Sequence, residues 1–283
     1  MSNPFSYPLR FEPLERRKVW GVERWLLSAL SSCPSIISNG HLKGRGLNEV
    51  IPDFPALIKE ISAEQWLSVQ VHPGEEACKV TGGIPKSEMW CVLSPGPLFA
   101  GLKAGSTKQD IKEAVAREDL EKSLVLFNAE VGDVFNIQAG IVHTLGPGIR
   151  VFEVQQPSDT TFRLYDWNRI DDFGKKRELH LEQALAAIDL DAPAVRCAAS
   201  AEAQLFRFSD NVFDGKSVIE TGSDYLVVYC AEGKMSVAEE PLSIGDVMLV
   251  PPEYRTDIDA SRARVLTVKV AAKKQKTEFT PNE

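Results

Sequence analysis

The chain has 283 residues, and 40 Asp and Glu against 32 Lys and Arg give a formal charge of -8. At about 150 residues per domain there is room for two domains or one large all-β unit, and the acidic balance argues against a general nucleic-acid binder. No apolar run approaches the ~18 residues of a membrane-crossing helix, the opening MSNPFSYPLRFEPLERRKVW lacks the apolar centre of a secretory leader, and five scattered cysteines without a CxxC fit reduced thiols in a cytoplasm rather than a disulfide scaffold or a Cys-rich zinc site.

Residues 1–60 are mixed in character. Ser28 to Asn48 is rich in Ser, Gly and Asn and is predicted to wind over the surface. Phe54 to Ile61 reads as a buried strand or a short helix. Leu67 to Val71 (LSVQV) alternates with period two, as a strand does. Glu88 to Leu93 and Leu98 to Leu102 give two more short strands, with Pro95, Gly96 and Pro97 as the turn between them. Thr107 to Leu120 breaks the pattern: it lacks Gly and Pro, and Ile111, Val115 and Leu120 share a helical stripe behind an N-cap at Ser106 or Thr107. Strand signals resume in SLVLFNA, DVFNI, RVFEVQQ and FRLYDW, and His180 to Ile188 predicts a second helix.

An Ala-rich, loop-like stretch follows Asp189, and a boundary is expected between Asp191 and Gln204. QLFRFS, SDYLVVYCAEGKMSV, SIGDVMLVPPEY and ARVLTVKVA are again short strands and turns, and the tail KKQKTEFTPNE is charged and expected to fray. Many short strands with few helices predict a mainly β protein, a barrel or jelly roll. An internal repeat supports this. GDVFNIQAGIVH (132–143) and GDVMLVPPEYRT (245–256) both open on Gly-Asp-Val, run through an apolar strand and turn, and Thr256 stands where the first copy has His143. Two related β-modules are therefore expected, 1–195 with polar machinery and a helical insertion at about 107–121, and 196–283 without metal ligands.

Four histidines are available. His41 in a Gly/Asn loop and His180 at a helix start suit surface and capping roles. His72 and His143 each end a predicted strand beside a turn, where barrels open and ligand sites form. Gln70 and His72 are two apart and share a strand face; with Val69 and Val71 packed on the other face, theirs is the polar barrel interior. Glu88 begins the next strand. A lone buried histidine is more often structural than a ligand, but Gln70, His72, Glu88 and His143 together offer two imidazoles, a carboxylate and an amide oxygen, a set that suits Zn²⁺ or another divalent transition metal.

Glu153 and Gln155 share a face of RVFEVQQ, and PSDTTFRLYDWNR then brings Asp159, Arg163, Asp166 and Arg169. Solvated surface ion pairs are the plain reading, yet Arg163 lies between Phe162 and Tyr165 in a strand-like run. Lys59 ends FPALIK, and Lys86 shares the face of Glu88. A metal site ringed by Lys59, Lys86 and Arg163 suits an anionic substrate such as a sugar phosphate. Cys91, three after Glu88, falls on the opposite strand face and reads as core. GxGxxG after a strand, GxxxxGK[ST] and GxSxG are all absent.

At FPALIK (54–59), LSVQVHP (67–73), KSEMWCVL (86–93), GDVFNIQAGIVHTLG (132–146) and VFEVQQPSDTTFRLYDWNR (151–169) the sequence resembles the class I mannose-6-phosphate isomerases (phosphomannose isomerases) of the cupin superfamily. YPLRFEP…VWG and SNGHLKGRGLNEVI also resemble the family, from residue 7 to about 170, with a looser match beyond. The resemblance implies a cupin jelly-roll barrel with a second, degenerate cupin-like module, and one Zn²⁺ per chain on Gln70, His72, Glu88 and His143. It also implies an active-site Arg163 with Lys59, Ser68, Lys86, Glu153 and Asp159 in support. The implied reaction interconverts D-mannose 6-phosphate and D-fructose 6-phosphate in the cytoplasm, by a monomer or homodimer with no nucleic-acid or membrane partner.

The chain departs from the family in three places. Gln138 stands where Pro is usual, Trp25-Leu26 where Trp-Glu is usual, and the loops near Gly21–Trp25 and Val50–Phe54 are short. Gly140 is expected to keep the turn despite Gln138; the other two changes bear on substrate fit. The reaction needs a group that stabilises the developing enediolate, for which Arg163 is the candidate, and a base, for which Glu153 and Asp159 are the candidates. Lys86 or Lys59 would meet the phosphate or a hydroxyl. Two alternatives remain at this level: an Fe(II) oxygenase using His72, Glu88 and His143, and a non-enzymatic sugar-binding cupin.

Overall fold

Stretches that alternate in the sequence become strands whose two faces bury different partners. A computed structural model describes residues 5–170, 174–192, 196–197, 200–202 and 206–272. The first elements are β1 (Leu9–Glu12), β2 (Leu14–Lys18), β3 (Gly21–Leu27), β4 (Ile36–Ile37), α1 (Leu47–Val50), β5 (Leu57–Ala63), β6 (Val69–Val71) and α2 (Glu75–Thr81). Next come β7 (Glu88–Ser94), β8 (Gly96–Leu102), α3 (Lys108–Ala116), β9 (Leu124–Ala129), β10 (Val134–Ile137), β11 (His143–Leu145), β12 (Arg150–Gln155), β13 (Phe162–Tyr165) and α4 (Leu181–Ala187). The remainder is β14 (Arg196–Cys197), β15 (Ser200–Glu202), β16 (Phe206–Glu220), β17 (Tyr225–Val237), β18 (Glu240–Leu242), β19 (Val247–Val250) and β20 (Arg255–Val270).

Among the described residues these strands form three sheets, ordered β14-β10-β7-β12-β5-β3-β2, β13-β6-β11-β8-β9, and β15-β16-β20-β17-β19-β1-β4 with β18 on β17. The first two enclose a jelly-roll barrel, and the third packs on the back of the first. The alternation is visible along β7. Trp90 and Val92 join the barrel core with Ile61, Val151, Leu98 and Leu145. Met89 and Cys91 join a second core with Phe152, Val154, Tyr229, Val247 and Leu266. The first sheet is thus covered on both faces, and Cys91 is core as its spacing predicted. N-terminal strand β1 pairs with β19 through Leu9↔Leu249, tying the start of the chain to the C-terminal sheet. Phe152 is fully buried with its ring 4.7 Å from that of Tyr229. Phe152→Ala should cost about 3–5 kcal/mol of stability in chemical denaturation; a loss below about 1 kcal/mol would contradict this shared core.

The internal repeat is structural as well as sequential. Gly132 N–H donates to Val92 O at 2.9 Å and Val92 N–H to Asp133 O at 2.9 Å; in the second copy Gly245 N–H donates to Cys230 O at 2.9 Å and Cys230 N–H to Asp246 O at 3.1 Å. The Asp133 carboxylate accepts from Glu130 N–H at 2.9 Å, as the Asp246 carboxylate does from Ser243 N–H at 2.9 Å. Register then pairs Glu88 with Ile137 in the first copy and Leu226 with Val250 in the second. An apolar Leu226 therefore stands at the position of Glu88, as Thr256 stands at that of His143.

Several expectations need adjustment. Phe54–Ile61 resolves to a strand, β5, and the LSVQV strand begins only at Val69. Gly96 and Pro97 belong to β8, so Pro95 alone is the turn between β7 and β8. The helix predicted from Thr107 to Leu120 starts as expected, with a Thr107–Asp110 capping box. It stops at Ala116 because Glu118 adopts φ 60, and Leu120 is buried instead by a 3-10 turn, Leu120–Ser123. Ser28–Asn48 is not a surface winding. Ser28, Ser35, Ile37, Leu42 and Leu47 are all buried, and Ser28 N–H donates to Ser35 Oγ at 2.9 Å, so polar composition here marks internal hydrogen bonding. The C-terminal strands are long, because β16 and β20 run on through the residues between the short stretches read from sequence. Residues 193–195, 198–199 and 203–205, in and just beyond the stretch Asp191 to Gln204 where the domain boundary is expected, and the tail 273–283 lie outside the described residues.

Candidate active site and metal centre

Strand register assembles the site in two rows on facing walls of the barrel. On the second sheet β6 lies between β11 and β13, which sets Gln70 opposite His143 and Arg163 opposite Gln70. Val69 and Val71 are buried in the outer core of that sheet, so Gln70 faces inward, as the alternation predicted. On the first sheet Lys59 lies between Trp25 and Glu153, and Trp90 is opposite Glu153. Gln155 is opposite Glu88 one step along.

His72, Glu88 and His143 converge between the walls. Their ligating atoms lie within 4.8 Å of one another, with His72 Nε2 3.2 Å from Glu88 Oε2 and His143 Nε2 3.3 Å from Glu88 Oε1. Each imidazole is oriented from behind: His72 Nδ1–H donates to Thr160 O at 2.9 Å and His143 Nδ1–H to Ile141 O at 2.8 Å. This tautomer aims both Nε2 lone pairs at the carboxylate, the outer-shell arrangement of metal-binding histidines. Burial pushes the His72 imidazole down to about 4, with the Lys86 charge adding to the effect. Burial also lowers His143. Burial alone would raise Glu88, but Lys86 and then His72 hold it well below the usual carboxylate range. At neutral pH the cluster is thus two neutral imidazoles and an anion.

His72 Nε2 and both Glu88 oxygens are buried without a hydrogen bond among the described residues; the Lys86 ammonium is an ion-pair neighbour of Glu88 Oε2 at 2.8 Å. Such orphaned acceptors are costly, and a divalent cation satisfies them together, so the donor set fits a metal. Gln70 is beside the cluster, with its Nε2 3.3 Å from His143 Nε2 and its Oε1 turned to Ser68 Oγ at 3.4 Å. In this orientation it supports His143, and ligation would require the amide to turn over.

A cleft of about 360 Å³ reaches the cluster through Gln70 and Lys86, while His72, Glu88 and His143 themselves lie outside its lining. Gln70, Ser68, Lys59, Lys86, Glu153, Asp159 and Arg163 all line it, so every expected substrate-side residue reaches one space. Lys59 is buried, 3.2 Å from Glu153 Oε1, and donates to Gln155 Oε1 at 2.7 Å. Burial alone would lower its ammonium, but Glu153 and then Glu23 raise it. Glu153 accepts from Trp90 Nε1–H at 3.0 Å, and its Oε1 has no hydrogen bond among the described residues. Asp159 is exposed. Arg163 Nη1 donates to Glu178 O at 2.7 Å, and its Nε is buried without a partner among the described residues.

Asp166 and Arg169 serve the frame instead. Arg177 grips Asp166 with two hydrogen bonds, one of them at 2.7 Å, and Arg169 donates to Trp66 O. His180 precedes α4 and accepts from Arg163 N–H at 3.1 Å, while His41 is exposed. Gly140 does keep its turn: it adopts φ 90, and a Cβ there would meet Asp189 Cβ at 2.8 Å.

Sequence reading missed four charged lining residues, Arg16, Lys18, Glu23 and Arg177. Three belong to the β2–β3 hairpin, whose charges read as an exposed edge. Their signal was period two, Arg16 and Lys18 on one strand, Glu23 and Trp25 on the next. Glu23 Oε2 accepts from Trp25 Nε1–H at 2.9 Å. Burial raises its carboxyl, but Lys59 and Lys18 outweigh that and leave it lowered. Leu26, where the family resemblance has Glu, is fully buried, while Glu23, two residues before Trp25, lines the cleft.

No family model matches the chain. A mannose-6-phosphate isomerase of Streptococcus mutans is 33% identical over 220 residues, covering 66% of this chain and 69% of the relative. A second such enzyme, from Bacillus subtilis, is 32% identical over 216 residues, with 65% and 68% covered. Among solved structures, the mannose 6-phosphate isomerase of Bacillus subtilis superimposes with a TM-score of 0.83 at 23% identity, covering 93% of this chain and 99% of that one. The apo form of the Salmonella typhimurium enzyme gives 0.71 at 13% identity, with 94% and 100% covered. With the cupin barrel these structures share, and with that level of identity to the first two relatives, the chain belongs to the class I mannose-6-phosphate isomerase family.

Proposed function

We propose that the chain interconverts D-mannose 6-phosphate and D-fructose 6-phosphate through an enediol, with one Zn²⁺ per chain held by Gln70, His72, Glu88 and His143. The observation that carries this reading is the meeting of two neutral imidazoles with a buried, unsatisfied carboxylate, next to Gln70 and Lys86 of a cation-lined cleft, in a chain of this family. A bound divalent cation would supply Lewis-acid polarisation of the sugar oxygens.

The remaining work falls to side chains. Arg163, protonated at any working pH, would hold the negative charge that develops on the enediolate oxygen. Glu153 is the preferred base: it is buried and lines the cleft, its Oε2 accepts from Trp90 Nε1–H, and its Oε1 faces the Lys59 ammonium at 3.2 Å without a hydrogen bond among the described residues. It would take the proton from C2 and return it to C1 while the hydroxyl proton passes from O2 to O1, so the aldehyde becomes a hydroxymethyl group, C2 becomes the carbonyl, and the carboxylate is regenerated each turnover. Asp159, exposed at the cleft, is the other candidate. Lys86 would meet a hydroxyl and Ser68 would orient Gln70. The module 196–283 would be structural, since Leu226 and Thr256 replace Glu88 and His143. A cytoplasmic location belongs to the same reading. No described helix is long and apolar enough to cross a membrane, and no disulfide joins the cysteines among the described residues.

A coupled assay of the metal-replete chain on mannose 6-phosphate, beside a panel of other phosphosugars, tests the assignment. Turnover of mannose 6-phosphate is expected, and its absence with turnover of another sugar would overturn the substrate. Glu153→Gln should lower kcat by about 10²–10⁴, and Asp159→Asn by far less. The opposite order would make Asp159 the base.

A further inference from the structure

Six cationic side chains line the cleft: Arg16, Lys18, Lys59, Lys86, Arg163 and Arg177. Four are already engaged by carboxylates: Lys18 with Glu23 at 3.6 Å, Lys59 with Glu153 at 3.2 Å, Lys86 with Glu88 at 2.8 Å and Arg177 with Asp166. Among the described residues only the guanidiniums of Arg163 and Arg16 line the cleft without an ion pair. Arg163 sits in the row of Gln70 and His143, at the metal end. Arg16 is on the opposite sheet, on edge strand β2. Its cross-strand neighbour is Glu23, yet that carboxylate is taken by Trp25 Nε1–H and Lys18. Arg16 instead lies over the Trp25 ring, 4.1 Å from its centroid.

Resting on the isomerase reading, we infer that Arg16 is the anchor for the substrate's phosphate, and that Lys59 and Lys86 are not. A guanidinium stacked on an indole has one face fixed and its N–H edge exposed, and that edge matches two oxygens of a phosphate dianion. The ammoniums of Lys59 and Lys86 already neutralise Glu153 and Glu88 at 3.2 and 2.8 Å, so a phosphate dianion held by either would also face that buried carboxylate, a like-charge contact that Arg16 does not impose. The two unpaired guanidiniums thus divide the substrate: Arg163 at the reacting carbons, Arg16 at the phosphorylated end.

Kinetics of Arg16→Ala and Arg16→Lys on mannose 6-phosphate test this, with Arg17→Ala as control. Arg17 is on the same strand but pairs outward with Glu64 at 3.3 Å. Arg16→Ala should raise KM about 10- to 100-fold and change kcat less than about threefold, because loss of uniform binding acts on KM. Arg16→Lys should fall between it and wild type, and Arg17→Ala should match wild type. A KM within about threefold of wild type, or a loss confined to kcat, would overturn the assignment. Inorganic phosphate provides a readout independent of turnover. It should raise the Tm of the wild-type chain and raise that of Arg16→Ala much less, and equal protection would overturn the proposal. An inactive wild type that still shows this difference would sink the isomerase reading and leave the phosphate seat standing.

Discussion

Exhaustive chelation should abolish isomerase turnover, and added Zn²⁺ should restore it. Loss of several kcal/mol of charge stabilisation in the transition state corresponds to about 10³-fold or more in rate. Removing one ligand should do the same: Glu88→Gln leaves His72 and His143 facing a neutral amide, and a stoichiometry near one metal per chain should fall towards zero. The effect should extend to stability. The His72 and Glu88 acceptors have no hydrogen bonds among the described residues, so a cation binding only the folded chain adds roughly 4 kcal/mol at a concentration a thousand times its Kd. The Tm should therefore rise on metal addition in wild type and stay unchanged in Glu88→Gln. Full turnover in a chain shown to be metal-free would remove the metal from the mechanism.

Arg163→Ala should lower kcat by about 10²–10³, the range for losing one preorganised donor to a developing oxyanion. The fold should survive, because the guanidinium's one hydrogen bond to protein among the described residues is to the Glu178 carbonyl. The backbone N–H of residue 163 still reaches His180 Nδ1. Arg163→Lys should recover only part of the loss, since an ammonium lacks the planar fork. Wild-type turnover in Arg163→Ala would take from Arg163 its place at the reacting carbons.

What the sequence revealed was set by local periodicity. Lys59, Gln70, Glu88 and Glu153 each sit at an inward position of an alternating strand, and the same alternation sent Cys91 to the core. The GDV repeat, three matched residues, marked a pair of turns that share their backbone hydrogen bonds. What it hid was set by tertiary context. LERRK has the look of a solvated edge, and only pairing with β3 turns Arg16 towards Trp25. Arg177 reaches the cleft from a loop with no period at all. The Ser- and Gly-rich stretch after Leu27 looked like surface because composition cannot tell a serine that bonds water from one that bonds Ser35. Convergence is the deeper case: Gln70 and His143 are 73 residues apart and meet only because β6 and β11 are neighbours.

Diffraction from crystals of the metal-replete protein, recorded on both sides of the zinc absorption edge, tests the metal centre most directly. One anomalous peak is expected inside the barrel, with His72 Nε2, His143 Nε2 and a Glu88 oxygen at about 2.0–2.2 Å and Gln70 turned to present Oε1. A fully loaded protein with no peak between these residues, or with its metal bound elsewhere, would contradict it.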